Sequence, residues 1–383
     1  MKITQVKDLV NNAIKETNGS STLLKEDLSN VVDVGSEIFG ADSVDNFVKK
    51  LVDRVGYTVF NARVYQGSVP SILMNSWEFG SVMEKVETEI PNATENDSWN
   101  LQDGQSYNQD TFYQPKVSAK FYNSRVTFDI PLSFTEQQVK SAFNSATELN
   151  SFISMLTTSV QNAMTVNIDN LITRTLNNMT AFTLNGKNPT RAVNLLALYN
   201  KKTGSKLTTA NALTDSNFIK FANQQIMLTQ GRFSKLSTLF NEGGKQRFTP
   251  KEEQHLVLLD DFASASKVYL ESDTYHDTNV SLQEYETVPY WQGSGTSYDF
   301  ADTSKIDVSI TLAGKPTEVV QSGIIGVLFD TNAVGVSCMN QRVTSAYNAR
   351  AEFYTNFTKF DAGFFNDLNE NYVVFYIADA AAA

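Results

Sequence analysis

Residues 133–178 read SFTEQQVKSAFNSATELNSFISMLTTSVQNAMTVNIDNLITRTLNN. Val139, Phe143, Ala146, Leu149, Ile153, Leu156, Val160 and Ala163 recur at steps of three or four, with Met164 beside the last. That spacing keeps one apolar stripe on one side of a helix. The stretch is therefore read as one long helix from Ser133 to about Asn178, with a bend allowed. Thr135 with Gln138 can close a capping box at its start, and Ser133 with Glu136 offers the same arrangement. Pro131 sits just outside, where a missing N–H does no harm. At ~1.5 Å per residue the helix is roughly 65 Å long. A stripe of that length needs neighbours all along it, from this chain or from another copy. A core helix of a large globular protein meets the same pattern.

The chain has 383 residues, enough for two or three packed units and a sizeable core. Hydrophobic residues make up 41% and charged residues 19%, which excludes a disordered or fibrous chain. The net charge of −11 repels a phosphate backbone, and no basic cluster offsets it, so sequence-specific nucleic-acid binding is not expected. Cys338 is the only cysteine, and His255 and His276 are the only histidines. No intrachain disulfide, Cys-based zinc site or imidazole-rich centre can be built from them. Residues 1–30 carry no hydrophobic run, and no stretch of eighteen apolar residues occurs, so no membrane partner is expected. The expectation is a protein made in the cytoplasm and soluble until it assembles.

Around the helix the rest of the chain falls into segments. Residues 1–45 are polar, with short helical pieces such as Val6–Lys15, and are read as an arm that packs loosely or reaches a neighbour. Residues 43–55 form a short amphipathic helix ending near Gly56, and Tyr57–Tyr65 reads as a strand. Residues 78–130 look like a long two-stranded ribbon, going out over Phe79–Ile90 and returning over Val117–Ile130. Val126, Phe128 and Ile130 alternate with Arg125, Thr127 and Asp129, the period of a half-buried strand. Glu84, Glu87 and Glu89 on the outgoing side face Lys116, Lys120 and Arg125 on the return, a pattern that helps set register. The long polar tip bears Trp99, Tyr107, Phe112 and Tyr113, and such a ribbon cannot bury itself. An arm lying on a neighbouring subunit is preferred to an ordinary surface hairpin. The candidate inter-subunit residues are thus Glu84, Glu87, Glu89, Trp99, Phe112, Tyr113, Lys116, Lys120 and Arg125. Beyond Asn185-Gly186, helices at Arg191–Lys201, Ser216–Gln230 and Asp261–Leu270 alternate with strands at Leu256–Leu259 and Ile306–Leu312. Ile324–Phe329, Ala349–Phe360 and Val373–Ile377 read as closing strands, giving an α+β chain overall.

Catalytic, cofactor and metal motifs are not found. Gly314-Lys315 fails as a phosphate loop, because Ser309 and Pro316 stand where Gly and Ser or Thr are required. Gly243-Gly244-Lys245 reads as a turn. Asp260-Asp261 reads as the cap and first turn of the next helix. Cys338 reads as a small hydrophobe.

The order of arm, extended loop, long helix, α/β unit and closing strands resembles the HK97-like fold of tailed-phage major capsid proteins. Three stretches look more specifically like the phi29-like group from short-tailed phages of Gram-positive bacteria. They are Asn46-Phe47-Val48-Lys49-Lys50-Leu51-Val52-Asp53-Arg54-Val55-Gly56; Val139-Lys140-Ser141-Ala142-Phe143 followed by Ser151-Phe152-Ile153-Ser154; and Ile325-Gly326-Val327-Leu328-Phe329-Asp330 with Phe364 to Tyr376. The resemblance implies an N-terminal arm (1–45), an E-loop (78–130) and an axial domain (185–322). A peripheral domain would comprise 46–77, 131–184 with the spine helix, and 323–383. Some relatives carry a further C-terminal immunoglobulin-like domain, which is not expected in this chain. The resemblance also implies a non-enzymatic virion protein that assembles in the host cytoplasm. Copies would close into pentamers and hexamers of an icosahedral shell around double-stranded DNA, with a scaffolding protein and a portal as assembly partners. Some relatives crosslink Lys to Asn through a Glu, but no such triplet stands out here and crosslinking is not expected. Alternatives are an encapsulin-like compartment, a virion enzyme or carbohydrate-binding protein using the Tyr275–Tyr298 loops, and a tail-tube or adaptor protein.

Overall fold

In the computed structural model the quoted stretch is two helices, Glu136–Ala142 and Ala146–Asn185, and not one rod. The structure describes residues 3–18, 23–39, 47, 50, 51, 69–74, 83–91, 93, 95–107, 110, 112–271, 284–291, 304–312 and 314–379. The readings at 52–65, at His276 and over most of Tyr275–Tyr298 lie outside these residues, as does most of the helix expected at 43–55.

The capping box forms as expected. Thr135 Oγ1 accepts from Gln138 N at 3.3 Å, and Gln138 Oε1 accepts from Thr135 N at 2.9 Å. Ser133 does not cap: it lies in a strand, with its hydroxyl 3.0 Å from that of Thr355. The rod breaks at Phe143–Ser145 because Ser145 starts a second helix, its hydroxyl accepting from Glu148 N at 3.2 Å. Phe143 turns inward at the break. Its ring meets Phe47 edge-on at 5.9 Å, and it lies directly under Gly35 of the helix Val31–Phe39. A Cβ on Gly35 would stand 2.8 Å from Phe143 Cβ. Gly35→Ala would stabilise an isolated helix by about 1 kcal/mol. Here it is expected to lower the midpoint of thermal unfolding, since overpacking costs about 1–3 kcal/mol. A raised midpoint would contradict this packing.

In chain order the strands are β1 (Leu73–Met74), β2 (Met83–Thr88), β3 (Val117–Tyr122), β4 (Arg125–Thr135), β5 (Ala192–Asn194), β6 (Gln254–Leu259), β7 (Glu286–Val288), β8 (Lys305–Leu312), β9 (Lys315–Ser322), β10 (Ile324–Asp330), β11 (Val334–Asn348), β12 (Phe353–Asn366) and β13 (Tyr372–Tyr376). Four form one sheet in the order β1-β11-β12-β4, and five form another in the order β5-β13-β10-β6-β7. The pairs β2-β3 and β8-β9 stand as two-stranded ribbons, with Gly314 turning the second at φ 78°. The helix Ala146–Asn185 packs on β4, β11 and β12 of the first sheet, on β13 of the second and on the β8-β9 ribbon. It is therefore the common neighbour of the separate layers. Its first half buries the expected stripe, Leu149, Ile153, Leu156, Val160 and Met164. Its last turns are enclosed on most sides, and their hydroxyls turn back to the helix: Thr175 and Thr183 donate to the carbonyls of Leu171 and Met179 at 2.7 and 2.9 Å. Thr180 and Tyr372 share a buried hydroxyl contact at 2.8 Å, which ties the helix to β13.

Several expectations are corrected. The described part of residues 1–45 is not a loose arm: the helices Ile3–Asn18 and Val31–Phe39 bury Val6, Val10, Ile14, Val34 and Ile38. Spacings of three and four put these residues on one face of each helix, which drives the helices onto the core. Asn11 fixes the chain between the two helices by bonding both backbone groups of Leu24, at 2.7 and 3.0 Å. The ribbon's return arm stops at Tyr122, and Arg125–Thr135 instead pairs with β12, where Phe128 stacks on Phe360 at 4.9 Å. Pro131 is inside that strand, harmless because β4 is a sheet edge. The closing segment 323–383 is shared between sheets: β10 and β13 join β5, β6 and β7, whereas β11 and β12 join β4. Arg191–Lys201 contributes a helix only from Leu195, after β5, with Asn194 as its cap. Among the described residues no helix is long and apolar enough to cross a membrane.

Candidate functional site: a ribbon clamped by buried charge

The ribbon β2-β3 has its polarity reversed. Residues of β2 alternate between the body and solvent, and the half-buried ones are Met83, Lys85 and Glu87. From β3, Lys120 and Tyr122 turn the same way. The outward face carries Val86 (60% exposed), Phe121 (64%) and Val117, with Glu84 directly opposite Phe121. Beyond it the tip holds Trp99 (94%), Phe112 (85%) and Tyr113 (84%) in the open. A strand pair in a monomer normally turns its apolar face inward and its charges outward.

The inward face is made possible by a balanced charge cluster. Register sets Lys85 directly opposite Lys120, a repulsive pair if left alone. Asp367, in the turn after β12, sits between them. Its Oδ1 takes Lys120 at 2.6 Å and its Oδ2 takes Lys85 at 2.8 Å. Lys85 also donates to Glu370 at 2.6 Å, and Arg247 bonds Glu87 and reaches Glu370 at 3.2 Å. Three cations thus meet three carboxylates, Glu87, Asp367 and Glu370. The Asp367 carboxylate is fully buried. Burial alone would raise its pKa, but hydrogen bonds from Lys120 and Lys85 win and hold it down to about 2. For Lys85 burial is likewise outweighed by Asp367 and Glu370, which raise its pKa. Burial wins at Glu370 and pushes it up despite Lys85 and Arg247. Burial beside these acids also raises the Tyr122 hydroxyl. The three carboxylates lie close enough to share a metal ion, but the cations already supply three positive charges to the same oxygens. The cluster is built as a clamp and not as a cation site.

The candidate residues are thus divided by the structure. Glu87 and Lys120 do not pair with each other: both point at the body, where Arg247 and Asp367 answer them. Arg125 is not on the ribbon, because it opens β4 opposite Gly363. Glu89 and Lys116 pair across the ribbon's far end at 3.6 Å, with Lys245 joining Glu89 at 3.3 Å. Lys245 and Lys116 hold the Glu89 carboxyl below its usual range. Glu84, Trp99, Phe112 and Tyr113 face solvent. Sequence reasoning missed Arg247, Asp367 and Glu370, and also the apolar outer face of Val86, Val117 and Phe121. Alternation of Lys85 and Glu87 around the apolar Val86 was the one local signal for it. His255, the second residue of β6, has its Nε2 2.8 Å from the Thr331 hydroxyl, and burial lowers its pKa. Asp260 and Asp261 occupy the first turn of the helix Asp260–Glu271.

Comparison with known proteins gives a consistent result. The family model described as Phi29-like phage major capsid protein matches residues 6–376. The major capsid protein of Bacillus phage GA-1 is 25% identical over 167 residues, 42% of this chain and 34% of that protein's length. The chain therefore matches about a third of that curated relative. The capsid structure of Staphylococcus phage Andhra superposes with a TM-score of 0.52 at 11% identity, covering 82% of this chain and 85% of that one.

Proposed function

This chain belongs to the Phi29-like phage major capsid protein family and has the HK97-like fold, and from that premise we propose that its ribbon is the limb by which copies hold one another in the shell. The observation that carries this reading is the reversed polarity of β2-β3: charge toward its own body, Val86, Phe121 and the aromatic tip toward water. Burying one such aromatic contributes about 1.5–3 kcal/mol. Repetition around a closed particle multiplies modest contacts by avidity. The proposed contacts are Glu84, Glu89, Lys116, Trp99, Phe112 and Tyr113, with Glu87 and Lys120 setting the ribbon's angle from inside.

In this reading β2-β3 with its tip is the E-loop, Ala146–Asn185 the spine, and the unit around the five-stranded sheet the axial domain that closes pentamers and hexamers. The rings tile an icosahedral shell around double-stranded DNA, whose backbone an acidic wall does not grip. A scaffolding protein and a portal assist assembly in the host cytoplasm. The role is structural and no catalytic residue is assigned.

The test is Trp99→Ala/Phe112→Ala/Tyr113→Ala, expressed with the head proteins of its own phage. The thermal midpoint is expected to stay at the wild-type value, because exposed substitutions shift stability by no more than about 0.5 kcal/mol. Closed particles, counted by negative-stain microscopy, are expected to disappear. Wild-type particle numbers from this variant would refute the proposal.

A further inference from the structure

A groove of about 800 Å³ lies where β9 approaches β5 and the helix Leu195–Thr203. Its walls include Val193, Leu198 and Val320, and its charged residues are Lys187, Lys201 and Glu318. Both lysines are exposed, and among the described residues neither is in an ion pair. Two lysines against one glutamate make this a locally positive hollow on a chain whose net charge is −11. β5 is an edge of the five-stranded sheet, and β9 belongs to a two-stranded ribbon. The groove therefore runs between unfinished sheet edges, which accept extended chain.

The ribbon tip is its chemical counterpart. Between residues 89 and 115 stand Glu89, Glu95, Asp97, Asp103 and Asp110, with no lysine or arginine. The same segment presents Trp99, Phe112 and Tyr113 to solvent. An acidic, aromatic limb is repelled by most of an acidic surface and steered to a hollow that is basic and partly apolar. The hollow is also large enough to take aromatic side chains.

We infer that the groove lined by Lys187, Lys201 and Val320 is the receptor for the ribbon tip of a second copy of this chain. The inference rests on the proposal that the ribbon is the shell's connecting limb, and adds where the limb lands. Lys187 and Lys201 meet the tip carboxylates, and an aromatic ring, Trp99 foremost, fills the hollow beside Val320.

The test has three variants, all expressed with the phage's own head proteins and checked by thermal unfolding of the soluble chain. Lys187→Glu/Lys201→Glu is expected to keep the wild-type midpoint and to yield at least about tenfold fewer closed particles, since each lost contact is repeated around the shell. Adding Glu95→Lys/Asp97→Lys to that chain is expected to restore particles, because the charges are then exchanged and not merely removed. In a Cys338→Ser background, Ser98→Cys/Gln321→Cys, which leaves Trp99 and Val320 in place, is expected to give particles whose chains form a disulfide-linked ladder on oxidation. If the tip-alanine variant abolishes particles while Lys187→Glu/Lys201→Glu leaves them intact, the limb proposal stands and the groove assignment falls. If neither variant reduces particles, both fall. If the groove variant reduces particles but neither charge exchange nor the disulfide succeeds, the groove holds a different occupant and the inference is overturned.

Discussion

Asp367→Ala is expected to be among the most damaging single substitutions in the protein. It removes the one carboxylate that separates two facing lysines and leaves Lys85 and Lys120 opposed in a half-buried setting. Breaking a buried pair from one side costs about 3–5 kcal/mol, mostly the penalty of a stranded charge. Thermal unfolding should register this as a midpoint fall of roughly 6 °C or more. Lys120→Met/Asp367→Asn tests the cause. It removes one cation and one anion together, leaving Lys85 and Arg247 against Glu87 and Glu370, so much of the loss is expected to return. A double variant no better than Asp367→Ala would show that the cluster's balance is not what matters.

The same residue predicts an acid response. Its folded pKa of about 2 lies below the ordinary 3.8, so its stabilisation is complete above about pH 4 and is lost as pH falls toward 2. The loss is about 2 kcal/mol. Glu370 acts with the opposite sign, because burial raises it: taking up a proton above the usual carboxylate range favours the folded state. Denaturant titrations are therefore expected to show stability held down to about pH 4.5 and falling steeply below pH 4. In Asp367→Asn that last decline should be shallower; an unchanged slope would assign it elsewhere.

Much of this fold can be read locally. The stripe from Leu149 to Met164 and the box at Thr135 and Gln138 are helix signals within a few residues, and both are found where expected. Ser145 and Glu148 repeat the same start signal, yet continuous periodicity through Phe143 and Ala146 hides the break. At the break Phe143 packs beneath Gly35, over a hundred residues away, a contact that no local spacing announces. The alternation of Val126, Phe128 and Ile130 announces a strand but not its partner, since Phe360 lies on a distant strand. β11 escapes notice because Ser337, Arg342, Thr344 and Ser345 dilute its apolar signal. At the candidate site the exposed aromatics were legible as residues a polar loop does not need. The clamp was not: Lys85, Arg247 and Asp367 come from three separate segments, and no spacing in a sequence encodes their meeting.

Phe375→Ala probes the opposite kind of dependence. Phe375 is fully buried in β13 and stands in register with Gly326 of β10, the centre of the five-stranded sheet. Gly326 has no room for a side chain, since a Cβ would lie 2.6 Å from the Val257 carbonyl oxygen and 2.7 Å from Leu258 Cδ2. The space Phe375 vacates therefore cannot be refilled from its partner strand. A buried Phe→Ala change that leaves an unrelaxed cavity costs about 3–5 kcal/mol. With total stability of about 5–15 kcal/mol for a domain, much of the reserve is gone. The expected result is a large loss of soluble chain and a lowered midpoint in whatever remains. Closed particles then decline because the subunit does not fold, in contrast to the tip variants, whose subunit folds and does not assemble. If Phe375→Ala instead gave a soluble chain with the wild-type midpoint, β13 would not be holding the five-stranded sheet to the long helix through Tyr372 and Thr180, and the rigid body from which the ribbon extends would need another explanation.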